Sequence, residues 1–165
     1  MASAGKRSTP HHCVRARVGT MTSFILRHLS WDEQIAVRTM WAECRGEPDD
    51  GQRAVAHVLL NRTDDGRWGN SLASVCLAKL QFSCWNHTDP QRARMAALKD
   101  DEPALLSMLV KLTEAQKNRE ADPTQGALYY YSDSIAPPFW AEKMTFLRKI
   151  GHHSFFTDKP KGLIA

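Results

Sequence analysis

A chain of 165 residues, 42% hydrophobic and 24% charged, has the size and composition of one globular domain. No apolar run approaches the ~18 residues that a membrane-spanning helix needs, which argues against stable membrane insertion. The net charge of +4 sits in residues 1–20 (Lys6, Arg7, Arg15, Arg17 and no acid), and the other 145 residues balance 18 bases against 18 acids, so nucleic-acid binding by the folded body is not indicated.

Residues 1–22 show no apolar periodicity and read as a disordered basic tail. The positive start is not followed by the apolar core of a secretory signal. Residues 23–160 then read as a single domain. The first helix is signalled by SWDEQIAVRTMWAEC: Ser30 followed by Glu33 is a capping-box pattern, and Ile35, Ala36, Val37, Met40, Trp41 and Cys44 make a broad apolar face. Gly46 and Pro48 end it. A second helix is expected from Gly51 to Arg62, capped by Asp49 or Asp50. TDDGRWGN is a turn-rich loop, and Asn70 or Ser71 opens a third helix to about Lys79. QFSCWNHTDP is irregular. Asp89-Pro90 starts a helix over Gln91–Lys99, and Asp101–Pro103 starts the longest one, Ala104 to about Asn118.

After Pro123 the pattern changes. GALYYYS reads as a strand with Tyr129 and Tyr131 on one face and Tyr130 on the other. IAPPFWAEKM is a turn, and TFLRKIGHHSFFT reads as two short strands about Gly151, with one of His152 and His153 inward and the other outward. The sum is a mostly helical α+β domain with a small C-terminal sheet.

Glu43 is the most informative carboxylate. On the helical wheel it lies beside Ala36, Thr39 and Met40, away from Gln34 and Arg38. A partly desolvated carboxyl keeps its proton to higher pH and can serve as a general acid. The other reading is a helix-edge glutamate paired with Arg45 or Arg62. Glu47 is close enough in sequence to suggest a two-carboxylate pair, but Gly46 and Pro48 break the helix there. It reads better as structural, bound to backbone N–H groups or to Arg62. Two other chemistries have candidates: Cys44 or Cys84 with a histidine, and zinc on His57, His87 and His152 or His153. Neither has a local motif. Trp68, Gln81, Phe82, Trp85, Asn86, Tyr129–Tyr131, Phe139 and Trp140 could floor a sugar groove, with about half of them expected in the core.

AECRGEPDDGQRAVAHVLLNR resembles the AEARGE…GQ.AVA.V.LNR signature of the SleB/CwlJ-type cell-wall hydrolases, the spore-cortex-lytic enzymes. QFSCWN is similar to that family's F-[ST] segment. GALYYYS with PPFWAEKMTFLRKIGHHSFF resembles its C-terminal block. The chain departs from the pattern at Cys44, where Ala is usual, and at Leu128. The resemblance implies a lysozyme-like, lytic-transglycosylase-type domain that cleaves peptidoglycan glycan strands between N-acetylmuramic acid and N-acetylglucosamine. It implies Glu43 as sole catalytic acid and base, and no metal or organic cofactor. Ser83, Gln81, Asn61, Tyr130, Tyr131 and Trp85 are then candidates for holding substrate, with Glu47 and Arg62 as structural neighbours. A hydrolytic muramidase would instead need a second carboxylate, for which Glu47, Asp64 and Asp65 are the nearby candidates. A non-catalytic wall-binding module is the competing non-enzyme reading. The expected enzyme is a monomer, made in the cytoplasm and reaching the wall by release or export, as suits a phage endolysin or a bacterial enzyme.

Overall fold

A computed structural model describes residues 29–99 and 102–159. The basic tail of residues 1–22 lies outside them. Among the described residues the helices are α1 (Trp31–Cys44), α2 (Asp49–Asp65), α3 (Leu72–Leu77), α4 (Pro90–Ala97) and α5 (Pro103–Lys117), with 3-10 turns at Ser83–Trp85, Arg119–Ala121 and Ala141–Lys143. Strands β1 (Tyr129–Ser132), β2 (Thr145–Ile150) and β3 (His153–Thr157) form one antiparallel sheet in the order β1-β3-β2. No described helix is long and apolar enough to cross a membrane.

Local chemistry explains most of the boundaries. The Ser30 hydroxyl accepts from the Glu33 N–H while the Glu33 carboxylate accepts from the Ser30 N–H, closing the capping box on α1. Such a cap is worth about 1 kcal/mol. Ser71 and Ser74 make the same reciprocal pair on α3, which stops at Leu77, short of the expected Lys79. Asp89 caps α4 by accepting from the Gln91 N–H at 2.8 Å, and the helix ends at Ala97.

α2 departs most from expectation. Its N-cap is Pro48 in an extended conformation, not Asp49 or Asp50. Both acids fall in the first turn, where the positive helix end favours them. At the other end the helix runs past Arg62 to Asp65. It stops where Gly66 adopts φ 78°, the left-handed conformation that favours glycine.

The main core gathers α1, α2, α3, α4 and α5 around residues such as Met40, Leu59, Val75, Leu105 and Leu112. A smaller core of Ala54, Val58, Ala127 and Phe155 lies between α2 and the sheet. Tyr130 touches both cores. The sheet register pairs Tyr130 with Phe155 and Ser132 with His153, and β3 is buried along its whole length. A bulge between Phe146 and Arg148 reconciles β2 with β3. Alternation holds as expected. Tyr130 stacks near His153 and Phe155 on the inner face, at 5.0 and 5.7 Å between ring centres. Tyr129 and Tyr131 flank Trp140 on the other, at 5.9 and 6.0 Å.

Candidate active site

Glu43 sits in the last turn of α1, half-buried. The Tyr130 hydroxyl, carried in from β1, donates to its Oε2 at 3.4 Å. Burial pushes the Glu43 carboxyl above the ordinary glutamate range; donation from the Cys84 thiol and the Tyr130 hydroxyl pulls it back, Asp89 adds to the rise and Arg62 subtracts from it. Three separate chain segments therefore converge on one carboxyl group: α1, the Ser83–Trp85 turn and β1. Arg45 is not its partner. That guanidinium donates to the Trp41 and Ala42 carbonyls at 3.3 and 3.0 Å and lies over the Trp41 ring, closing the end of α1.

Glu47 faces the other way, toward the β2–β3 turn. Its Oε2 accepts from the His152 N–H at 2.8 Å and its Oε1 lies 3.2 Å from His152 Nδ1. His153, the inward member of the histidine pair, places Nδ1 3.8 Å from the same carboxylate, while His152 stays exposed. Gly151 permits this approach. It has φ +58°, and a Cβ there would come within 2.3 Å of Glu47 Oε2. Gly151→Ala should therefore destabilise the fold by about 1–3 kcal/mol, and Glu47→Ala by about 2 kcal/mol through the lost hydrogen bonds. In a denaturation double-mutant cycle the two costs should be clearly sub-additive. Simple additivity would mean that the turn does not depend on this contact.

Arg62 is 5% exposed. Its Nε donates to the Leu128 carbonyl at 2.7 Å, and its guanidinium lies 4.8, 5.2 and 5.9 Å from the rings of Trp68, Phe82 and Tyr129. Its role is to tie α2 to the segment entering β1, and it contacts neither carboxylate of the Glu43–Glu47 pair. Asn61 makes its hydrogen bonds with a distant turn. Its amide nitrogen donates to Asp122 at 2.8 Å and to the Ala127 carbonyl at 3.2 Å, so it organises the 122–127 turn and does not face the Glu43 carboxyl.

The remaining candidates divide. Ser83 is exposed and donates to Asp89 Oδ2 at 2.7 Å, one residue from Cys84. Trp85 lies half-buried, its indole N–H donating to Thr39 Oγ1 at 2.9 Å, one turn before Glu43 on α1. Gln81 is half-buried in the turn after α3, and its side chain makes no hydrogen bond among the described residues. Tyr131 stacks on Phe156, away from Glu43 on the outer face of the sheet. Cys84 and Asp89 are neighbours of Glu43 that sequence reasoning passed over. In the sequence Cys84 reads as a candidate nucleophile and Asp89 as a helix cap. Cys84 follows directly on Ser83, which was the available signal for it, whereas Asp89 meets Ser83 only through the fold.

Among the described residues the other chemistries find no assembled site. Asp64 is ion-paired with Arg119, and Asp65 with Arg67. Burial pushes the thiols of Cys44 and Cys84 far up, and Glu43 beside them adds to that, which is the opposite of an activated thiolate. The Cys44 thiol donates to the Met40 carbonyl. His57 lies near Asp122, while His152 and His153 face Glu47. No group of three His, Cys, Asp or Glu side chains is arranged to hold a metal ion among the described residues.

Residues 46–156 match the family profile described as Cell Wall Hydrolase. Relatives include the spore cortex-lytic enzymes of Bacillus subtilis, 30% identical over 124 residues (75% of this chain and 37% of that protein), and Bacillus cereus, 32% identical over 124 residues (75% and 43%). The chain thus spans about two fifths of the length of these relatives. Among solved structures, the catalytic domain of the germination-specific lytic transglycosylase SleB from Bacillus anthracis superposes with a TM-score of 0.63 at 28% identity, covering 79% of this chain and 98% of that one. The catalytic domain of the Bacillus cereus SleB protein gives 0.58 at 29% identity, covering 76% and 89%. The fold is lysozyme-like, with helices dominant and the small sheet at the C-terminal end.

Proposed function

The chain belongs to the cell wall hydrolase family, and from that premise we propose that it cleaves the glycan strand of peptidoglycan as a lytic transglycosylase, with Glu43 as both acid and base. The observation that carries this reading is the Glu43 carboxyl itself: half-buried at a helix end, raised in pKa, and touched by a tyrosine hydroxyl. A carboxyl so placed holds its proton and can deliver it to the glycosidic oxygen between N-acetylmuramic acid and N-acetylglucosamine. The C1–O bond breaks, the leaving oxygen keeps the proton, and positive charge develops at C1 of the muramyl ring. Glu43, now an anion, stabilises that charge and accepts the proton of the muramyl C6 hydroxyl as that oxygen attacks C1. The products are a free N-acetylglucosamine 4-hydroxyl and a 1,6-anhydromuramyl end. The proton returns to Glu43, and no water is consumed.

This route needs one carboxylate, which fits the surroundings. Glu47, Asp64 and Asp65 are each engaged elsewhere. Asp89 is the carboxylate whose charge reaches Glu43. It supports a second reading, in which Asp89 orients a water for hydrolysis. Its two oxygens are, however, held by Ser83 and the Gln91 N–H. Tyr130 touches the carboxyl, Ser83 and Trp85 flank Cys84 beside it, and these three are our choices for holding the sugar. Mass analysis of digested peptidoglycan separates the readings. Muramyl ends lighter by one water mean transglycosylation, reducing muramyl ends mean hydrolysis, and freed stem peptides would overturn glycan cleavage altogether.

The pH profile carries a sharper test. Glu43 must be protonated to start the reaction, so the alkaline limb of kcat/KM should lie above the ordinary glutamate value of about 4.3. Tyr130 lowers the Glu43 pKa by donating to its charged form. Tyr130→Phe removes that donor, so the limb should move to higher pH, and the plateau should fall about three- to tenfold. A limb that moves to lower pH would contradict this role.

A further inference from the structure

A hollow of about 380 Å³ lies where the N-terminal half of α1 meets α4 and the Ser83–Trp85 turn. Trp31, Gln34 and Arg38 line it from α1, Trp85 from the turn, and Arg92 and Met95 from α4. Trp31 is 65% exposed, an unusual position for an indole in a domain with room to bury it. Arg92 donates to the Trp85 carbonyl at 2.8 Å and so is fixed beside the second indole. Among the described residues the lining contains two arginines and no acid. The larger cavity, about 530 Å³ between α2, α5 and β2, differs in this respect, since Asp50 and Glu114 there pair with Arg53.

We propose that this Trp31–Trp85–Arg92 hollow is a second saccharide site, which takes a carboxylate-bearing sugar of the strand that Glu43 cleaves. The proposal rests on the glycan-cleavage reading for the identity of the strand. Indole faces take up the apolar face of a pyranose, an amide such as Gln34 pairs with hydroxyls, and a guanidinium fixes a carboxylate. A muramyl unit whose lactyl carboxyl is free of a stem peptide offers all three surfaces, whereas a neutral aminosugar polymer lacks the carboxylate. Trp85 links the hollow to the catalytic end of α1: its indole N–H is anchored on Thr39, four residues before Glu43. Trp31 lies ~18 Å along the helix axis from Glu43, a separation that a strand several sugars long can span.

The test uses binding, measured apart from cleavage. Glu43→Gln protein is titrated with soluble peptidoglycan glycan strands stripped of their stem peptides, with the same strands after amidation of their muramyl carboxylates, and with chitin oligomers of equal length. Adding Trp31→Ala should weaken binding to the native strands roughly tenfold, with rescue by Trp31→Phe. Amidated strands and chitin should bind as weakly to the parent as native strands bind to Trp31→Ala. Because Trp31 is exposed, the variant should keep the parent's melting temperature. Equal affinity of parent and Trp31→Ala for native strands would overturn the site, and so would a Trp31-dependent dimer in sedimentation, which would assign this face to a second copy. If the wild-type chain cleaves no glycan yet Trp31-dependent binding persists, the cleavage reading falls and the saccharide site stands.

Discussion

Glu43→Gln should abolish glycan cleavage, with a loss of about 10³-fold or more, while leaving the fold intact and more resistant to heat. The amide keeps the shape of the carboxyl and can still accept from Tyr130, so the surroundings need not move. Its proton cannot be delivered, so the glycosidic oxygen leaves unprotonated. The thermal prediction follows from linkage. The folded pKa of Glu43 is raised above its unfolded value. Below the unfolded value both states hold the proton and the group has no effect on stability. As pH rises past it, the unfolded chain ionises first and the native state loses stability, until the folded pKa is passed. The melting temperature of Glu43→Gln should therefore match wild type at about pH 3–4 and exceed it at neutral pH. Scanning calorimetry across pH checks this. A variant less stable at neutral pH would mean that the ionised carboxylate is favourable in the fold.

The largest loss of stability should come from Arg62→Ala, at about 3–5 kcal/mol. The substitution opens a cavity among Trp68, Phe82 and Tyr129, and leaves the Leu128 carbonyl without its donor. A domain of this size has about 5–15 kcal/mol in total, so the variant should unfold at markedly lower denaturant. Arg62→Met restores the bulk without the charge or the donor and should lose about half as much. It should also raise the Glu43 pKa, because the Arg62 charge lowers it. The two effects are read separately, by urea denaturation and by the alkaline limb of the rate profile. If Arg62→Met is as stable as wild type, the guanidinium contributes only volume. The unpartnered, buried Nη1 makes that comparison informative, since burying a donor without an acceptor opposes the gain from the aromatic rings.

Features encoded within a few residues were legible in the sequence. The Ser30–Glu33 box, the Asp89-Pro90 start, the hairpin about Gly151 and the alternation of Tyr129–Tyr131 all follow from local rules, and the structure shows them. The half-buried place of Glu43 at the end of α1 was legible from the helical wheel. What escaped depends on distant segments. Asn61 reaches a turn 61 residues further on, and nothing near Asn61 announces it. Cys84 and Asp89 become neighbours of Glu43 only when the turn after α3 folds back on α1. The extension of α2 to Asp65 has a different cause. The acid–glycine composition of TDDGRWGN suggests a loop from its start, yet the helix holds through Asp65 and positive φ comes only at Gly66 and Gly69. The Glu47–His152 contact, spanning 105 residues, was anticipated only as binding to some backbone N–H.

The most direct measurement follows the Glu43 carboxyl itself. In protein labelled with carbon-13 at glutamate carboxyls, the resonance that disappears in Glu43→Gln is titrated by NMR and set beside the pH dependence of kcat/KM on purified peptidoglycan. That resonance should titrate above the ordinary glutamate value, at the same pH as the alkaline limb of the rate. A carboxyl that titrates at or below the ordinary value, or a rate limb at a clearly different pH, would contradict Glu43 as the acid that starts glycan cleavage.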